Sequence, residues 1–145
     1  MNLFGVMEIS ASALGAERIR SEVAAANMAN AESTRTEDGG PYKRQQVVFE
    51  ARQRLQFSTA MAANGVDSGV GGVVASDVVE EDAPPIMRYE PNHPDANAQG
   101  YVAYPNINPV AEMTDLMGSV RSYEMNVAAV NASKQMIEQS IGLLS

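Results

Sequence analysis

The stretch that decides the fold is NPVAEMTDLMGSVRSYEMNVAAVNASKQMIEQSIGLLS, from Asn108 to Ser145. When heptads are counted from Met113 as position a, nine of its ten a and d residues are apolar. Such a stripe predicts a long helix that packs against other helices as a coiled coil. Asn108 and Pro109 mark its start, because Asn caps helices and Pro is preorganised for the first helical position. The a and d residues are Met113, Leu116, Val120, Tyr123, Val127, Val130, Lys134, Ile137, Ile141 and Leu144.

The first part of the chain, from about Leu3 to Ser33, carries a weaker stripe of smaller residues at the same spacing. Alanine at these positions lets another helix approach closely but buries little area, and burial contributes only about 25 cal/mol per Å². A helix of this kind is poorly stabilised by a single partner, so we expect neighbours on several sides. The stripe consists of Ile9, Ser12, Ala16, Ile19, Val23, Ala26 and Asn30.

The seven prolines all fall between Pro41 and Pro109, so two helical ends flank a middle rich in helix breakers. We predict an N-terminal helix in residues 1–33, a β-strand and loop middle domain in residues 34–107, and the heptad helix in residues 108–145. The predicted class is α+β, in which the two helices form a coiled-coil layer with neighbouring subunits. Four β-prone runs predict two to four short strands, at residues 42–49, 70–79, 86–89 and 100–104. Residues 53–72 have little periodicity, and we expect them to be mobile.

The composition leaves little bulky side chain for a core. The chain has 145 residues and is 45% hydrophobic, but 21 of those residues are Ala, and Leu, Ile, Val and Phe together number only 30. This shortage of bulky apolar residues argues against a catalytic domain and favours a protein that buries apolar side chains against partners. The net charge of −8 argues against a nucleic-acid binder, and the short basic run from Arg35 to Arg54 is predicted to be a solvated strand or loop. The absence of Cys excludes disulfides and thiol nucleophiles.

The motifs that could indicate a metal or catalytic site are weak. Residues 95–100 resemble the start of a calcium loop, but Gln99 and Asn106 stand where acidic ligands belong, so a polar turn is predicted. His93 is the only histidine and lies between Asn92 and Pro94, which is typical of a loop. No segment approaches the length of a membrane span. We therefore predict no catalytic residue, no metal site, no cofactor and no small-molecule substrate.

Asn27 and Asn30 lie three residues apart near the end of the first helix. One interpretation is a C-terminal cap, because Asn tolerates the left-handed conformation that ends helices. The other is that the amides bond to packed neighbouring elements and set the register of a surface that is otherwise nearly all Ala.

Several blocks of this sequence resemble the axial proteins of the bacterial flagellum, and among them the rod components of the basal body. The Asn-Met-Ala-Asn piece is typical of the whole axial family, whereas the block from His-Pro-Asp-Ala to Tyr-Pro-Asn is typical of a rod component. The matching pieces are Ile9-Ser10-Ala11-Ser12, Arg18-Ile19-Arg20, Asn27-Met28-Ala29-Asn30-Ala31, Ser33-Thr34-Arg35-Thr36, Gly39-Gly40-Pro41-Tyr42-Lys43-Arg44-Gln45, Val48-Phe49-Glu50, His93-Pro94-Asp95-Ala96, Gly100-Tyr101-Val102-Ala103-Tyr104-Pro105-Asn106-Ile107-Asn108 and Arg121-Ser122-Tyr123-Glu124-Met125-Asn126.

The resemblance implies a non-enzymatic structural subunit of the proximal rod, which crosses the periplasm. Such a subunit is made in the cytoplasm, is exported by the flagellar type III apparatus without a cleaved signal peptide, and assembles with copies of itself and with FlgB, FlgF, FlgG and FliE. The rod is a helical tube that transmits torque and conducts exported proteins. The alternatives are another axial rod component, a soluble coiled-coil adaptor or export chaperone, and an acidic metal-binding enzyme. The predicted assembly interface consists of Ile9, Ala16, Ile19, Val23, Asn27, Asn30, Met113, Leu116, Val120, Tyr123, Val127, Val130, Ile137 and Ile141.

Overall fold

The computed structural model describes residues 3–37, 39–52 and 71–143. Two long helices flank four short strands, so the predicted α+β class is confirmed. Leu144 and nearly all of the segment predicted to be mobile lie outside the described residues. The elements are α1 (Leu3–Ala29), β1 (Gln45–Ala51), β2 (Val73–Glu80), β3 (Ile86–Tyr89), β4 (Tyr101–Tyr104) and α2 (Pro109–Gly142).

The helix ends follow from capping side chains. At the start of α2, the Asn108 side-chain oxygen accepts a hydrogen bond from the backbone N–H of Val110 at 3.0 Å, which confirms the predicted cap. Helix α1 ends at Ala29, before the predicted Ser33. After Asn30 the N–H groups of Ala31 and Ser33 bond to carbonyls three residues back, at Met28 and Asn30, so the helical pattern of bonds four residues apart stops. The Asn30 side chain also donates to the carbonyl of Ala26 at 2.9 Å.

The four strands form two separate ribbons. Strands β1 and β2 are hydrogen-bonded neighbours, and β3 pairs with β4 in antiparallel register, Ile86 opposite Tyr104 and Tyr89 opposite Tyr101. Each strand overlaps its predicted run, and β3 has the predicted bounds.

Internal contacts divide the chain into two compact units. The first unit comprises Met1–Ile19, Val48–Asp77 and Ser119–Ser145, and the second unit comprises Arg20–Val47 and Val78–Gly118. The three-part division into residues 1–33, 34–107 and 108–145 stays a prediction.

The buried residues that the structure describes in the first unit are small. Its buried side chains include Ser10, Ala16, Ser119 and Ser133, none of which is bulky. The hydroxyl of Ser12 accepts a hydrogen bond from the backbone N–H of Val73 at 3.1 Å, which holds the start of β2 against α1. Side chains of this size contribute little apolar burial.

The second unit has a modest apolar core beside buried polar groups. Val102, Tyr104 and Ile107, from β4 and the segment before α2, are buried together with Ala24 of α1. The Tyr104 hydroxyl donates to the Glu90 carboxylate at 3.0 Å, so its polar end is satisfied.

No helix in the described part of the chain combines the length and the hydrophobicity that crossing a membrane requires.

Candidate functional site

The apolar line along α2 points largely away from the chain's own interior. Four apolar residues at heptad position a are exposed: Met113 by 51%, Val120 by 46%, Val127 by 36% and Ile141 by 63%. At position d, Tyr123 is exposed, whereas Leu116, Val130 and Ile137 are half-buried. We call the five exposed residues the α2 stripe: Met113, Val120, Tyr123, Val127 and Ile141. This line of apolar side chains has little cover within a single chain.

The predicted interface residues of α1 divide between inward and outward positions. Ala16 is buried in the first unit and Asn27 in the second. Ile9 and Ile19 are exposed. Val23 and Asn30 are half-buried, and the Asn30 amide bonds within its own helix turn. Of the two interpretations, the helix-end role therefore fits Asn30, and a bond to neighbouring elements fits Asn27.

Asn27 is fully buried, and its side-chain amide is fully hydrogen-bonded. The amide nitrogen donates to the carbonyl of Gln45 at 2.8 Å and to the Glu112 carboxylate at 3.0 Å. The amide oxygen accepts from the backbone N–H of Gln45 at 2.9 Å and from the Tyr42 hydroxyl at 3.2 Å. With two donors and two acceptor positions in use, this amide ties α1 to β1 and α2.

Glu112 lies in the first turn of α2, and its side chain is only 2% exposed. Its Oε1 accepts a hydrogen bond from Nε of Arg44 at 2.7 Å, while its Oε2 accepts the bond from Asn27. A buried carboxylate is tolerated when its charge is paired and its oxygens are hydrogen-bonded, and both conditions hold here. We call Asn27, Tyr42, Arg44 and Glu112 the polar hub.

Arg44 connects the polar hub to a more exposed rim of acidic groups. Its Nη1 lies 3.1 Å from Glu81, and its Nη2 lies 3.8 Å from Asp115. Asp115 is also 3.2 Å from Arg20 of α1. One guanidinium therefore contacts three carboxylates from the end of β2 and from α2, a use that suits the fixed fork of Arg better than Lys.

The environment of the hub changes two pKa values. Burial raises the pKa of Tyr42, and the nearby charges of Glu80 and Glu112 add to the effect. Burial by itself lowers the pKa of Arg44, but its bonds to Glu112 and Glu81 outweigh that effect and raise the pKa above its ordinary value. At neutral pH the hub thus holds a neutral phenol and a guanidinium cation.

Sequence analysis missed Arg44 and Glu112 as a pair. Arg44 belongs to the run that was predicted to be solvated, yet its side chain is only 22% exposed. A Glu in the first turn of a helix is common because it suits the helix dipole, so Glu112 carried no special signal. The two residues are 68 positions apart in the chain.

The calcium-like segment is a polar turn, as predicted. Asp95 accepts a hydrogen bond from the Thr34 hydroxyl at 2.8 Å, and the Asn97 side-chain oxygen accepts from the backbone N–H groups of Gln99 and Tyr101. The His93 ring nitrogen Nδ1 accepts from the N–H of Asp95 at 3.1 Å. Within residues 3–37, 39–52 and 71–143, no group of three or more acidic or His side chains is placed to hold a metal ion.

Known proteins resemble this chain over nearly its full length. Residues 98–143 match the family described as flagellar basal body rod FlgEFG protein C-terminal. The flagellar basal-body rod protein FlgC of Escherichia coli O6:H1 is 41% identical over 143 residues, which cover 99% of this chain and 98% of that protein. FlgC of Bacillus subtilis is 39% identical over 147 residues, 97% of each chain. FlgC of Borreliella burgdorferi is 35% identical over 150 residues, 99% of each chain.

Proposed function

Because the chain belongs to the FlgC family of flagellar basal-body rod proteins and is a structural subunit of that rod, we propose how it assembles. The subunit polymerises with copies of itself and with FlgB, FlgF, FlgG and FliE into the helical tube of the proximal rod in the periplasm. Its two long helices form a coiled-coil layer with those of its neighbours. The protein carries out no catalysis, and it reaches the rod through the flagellar type III export apparatus without a cleaved signal peptide.

The observation that carries this proposal is the exposed α2 stripe. Val120, Tyr123 and Val127 are 36–46% exposed, so a neighbouring helix has apolar surface to cover. The residues of the α2 stripe recur at heptad spacing, which is the spacing at which a partner helix packs in a coiled coil. Many such seams side by side would carry torque through close-packed contacts, since packed interiors transmit strain with little compression.

The second candidate is a soluble adaptor or export chaperone. Such a protein would have to bury the apolar faces of its helices within the single chain. Among the described residues of the first unit, Ser10, Ser119 and Ser133 are buried, and such small polar side chains contribute little apolar burial within a single chain. These buried residues favour a subunit stabilised by neighbours over an adaptor that is stable alone.

The test is Val127→Asp in a motile bacterium that carries this subunit as its only FlgC. A carboxylate in a helix seam would be buried without a partner, so rods should fail to assemble and swimming should stop. The matched control is Ala132→Asp, which adds the same charge to an exposed position of α2 outside the a and d positions. Intact rods and normal swimming with Val127→Asp would refute the assignment of the stripe to the assembly interface.

A further inference from the structure

Three segments that are distant in sequence meet at one buried carboxylate in the second unit. Glu112 of α2 is bonded to Asn27 of α1, 85 residues away, and to Arg44 at the entrance to β1, 68 residues away. The side chains of Asn27 and Glu112 are 0% and 2% exposed, respectively. Asn27 and Glu112 are almost closed to water, so a bond that either of them loses must be replaced from within the protein.

A second link between α1 and α2 in this unit is weaker: Arg20 and Asp115 lie 3.2 Å apart, but their side chains are 39% and 44% exposed, and exposed ion pairs contribute little. Ala24, the buried apolar residue of α1 in this unit, has a short side chain that fits many arrangements. A rotation of α2 by one residue, about 100°, would take the Glu112 carboxylate away from both partners. Arrangements other than the observed one therefore leave a buried charge or a buried amide unpaired, and both are costly.

We propose that Arg44 is a positioning residue that, through Glu112 and Asn27, fixes the register of α1 against α2 within the single chain. The register also determines which face is turned outward by the part of α2 that belongs to this unit, up to Gly118. An arrangement that turned the exposed Met113 inward would break the Arg44 to Glu112 bond, so the polar hub opposes it. The hub thus selects one packing of the two helices and leaves Met113 uncovered for other helices.

An experiment can distinguish a residue pair that selects one packing arrangement from a pair that mainly stabilises the fold. When a buried ion pair is replaced by apolar side chains of similar volume, stability is commonly retained or increased. If Arg44 and Glu112 act on register, the double variant Arg44→Met/Glu112→Met keeps its helix content and a cooperative unfolding transition but loses the unique packing of α1.

The register can be measured with single cysteines, because the chain contains none of its own. Ala24 is buried and its neighbour Ala25 is exposed, so Ala24→Cys and Ala25→Cys form a matched pair on α1. In the full-length free chain we expect a small thiol reagent to label position 24 at least about tenfold more slowly than position 25. A tenfold ratio corresponds to about 1.4 kcal/mol of local opening free energy.

The double variant should bring the two labelling rates to within about twofold of each other, with circular dichroism unchanged and unfolding still cooperative. The matched control is Lys43→Met/Asp82→Met, which removes an ion pair of 3.5 Å from the same unit. The two side chains of that pair are 55% and 97% exposed, so the control should keep the tenfold contrast.

Three results would overturn the inference. The first is equal labelling of the two positions in the otherwise unchanged chain, because the register would then not be set in the free subunit. The second is a tenfold contrast that survives in the double variant. The third is loss of helix in the double variant, which would make the pair a stabilising contact.

The importance of this register for rod assembly rests on the proposed function. Experiments can nevertheless refute the register inference and the proposed function separately. The labelling contrast is measured on the free chain, whereas Val127→Asp is scored on rods and swimming. A normal contrast together with intact Val127→Asp rods would leave the register inference standing and remove the proposed interface.

Discussion

Arg44 Nε lies 2.7 Å from Oε1 of Glu112, and the two side chains differ in their access to solvent. Glu112 is 2% exposed, whereas Arg44 is 22% exposed and also contacts Glu81 and Asp115. Removing Arg44 should therefore affect stability differently from removing Glu112. Without Arg44, a carboxylate stays buried with no cation, while without Glu112, the guanidinium keeps two acidic neighbours and some water.

We predict from this asymmetry that Arg44→Ala lowers the free energy of unfolding more than Glu112→Ala does. The loss should be about 3–5 kcal/mol for Arg44→Ala, the range for breaking a buried ion pair. For Glu112→Ala, about 1–3 kcal/mol is expected, mainly from the unpaired amide of Asn27. Urea unfolding followed by circular dichroism measures both. Equal losses, or the reverse order, would mean that Glu112 is not the critical buried charge.

The raised pKa of Tyr42 leads to a prediction of how the free energy of unfolding changes at alkaline pH. Burial raises its pKa above the ordinary value of 10.0, so above that pH the unfolded chain releases the phenol proton more readily than the folded chain. The stabilisation is complete below about pH 10 and is lost as the pH rises through the folded-state pKa. Tyr42→Phe should reduce this alkaline loss, at a constant cost of about 1 kcal/mol for its bond to Asn27.

Urea unfolding at several alkaline pH values tests this prediction, with Tyr104→Phe as a comparison. A hydrogen bond to Glu90 and burial raise the pKa of Tyr104 as well, so each variant should remove only part of the alkaline dependence. An unchanged slope with pH in Tyr42→Phe would show that the phenol does not titrate as the hub geometry requires.

Two glycines should respond to alanine in opposite directions. Gly100 has φ +81°, and an added Cβ would lie 2.9 Å from the Tyr89 ring, so Gly100→Ala should destabilise by about 1–3 kcal/mol. Gly118 lies inside α2 with nothing within 4 Å of an added Cβ, so Gly118→Ala should stabilise the helix by about 0.5–1 kcal/mol. Denaturation midpoints of the free chain decide between these signs, and two changes of the same sign would contradict the local geometry.

The helix content of the free subunit distinguishes a rod subunit from an adaptor. The buried small and polar residues of the first unit lead us to expect that its helices, residues 3–19 and 119–142, are largely unfolded until neighbours cover them. Circular dichroism of the purified chain should therefore show much less helix than α1 and α2 together would give. A strongly helical free chain would favour the adaptor.

The sequence predicted the elements well where the determinants are local. The cap at Asn108, the bounds of β3 and the apolar line on α2 depend on a few adjacent residues or on a simple period. Helix α1 ends four residues before the predicted Ser33, where the backbone N–H groups of Ala31 and Ser33 bond to carbonyls three residues back.

The polar hub was beyond sequence reasoning for a physical reason. Its charges are ordinary at their positions, Arg44 beside a strand and Glu112 in a first helical turn, and only the fold brings them to 2.7 Å. The Asn27 amide was recognised as a candidate for register, but its partner on α2 depends on the same long-range packing.

The most direct test of the account is a reconstruction, at side-chain resolution, of an assembled basal body that contains this subunit. The measured quantity is the exposed fraction of Met113, Val120, Val127 and Ile141, which are 36–63% exposed in the single chain. We predict that helices of neighbouring subunits bury most of this surface while the Arg44 to Glu112 bond stays within each subunit. An α2 stripe that remains open to solvent in the assembled rod would contradict the account.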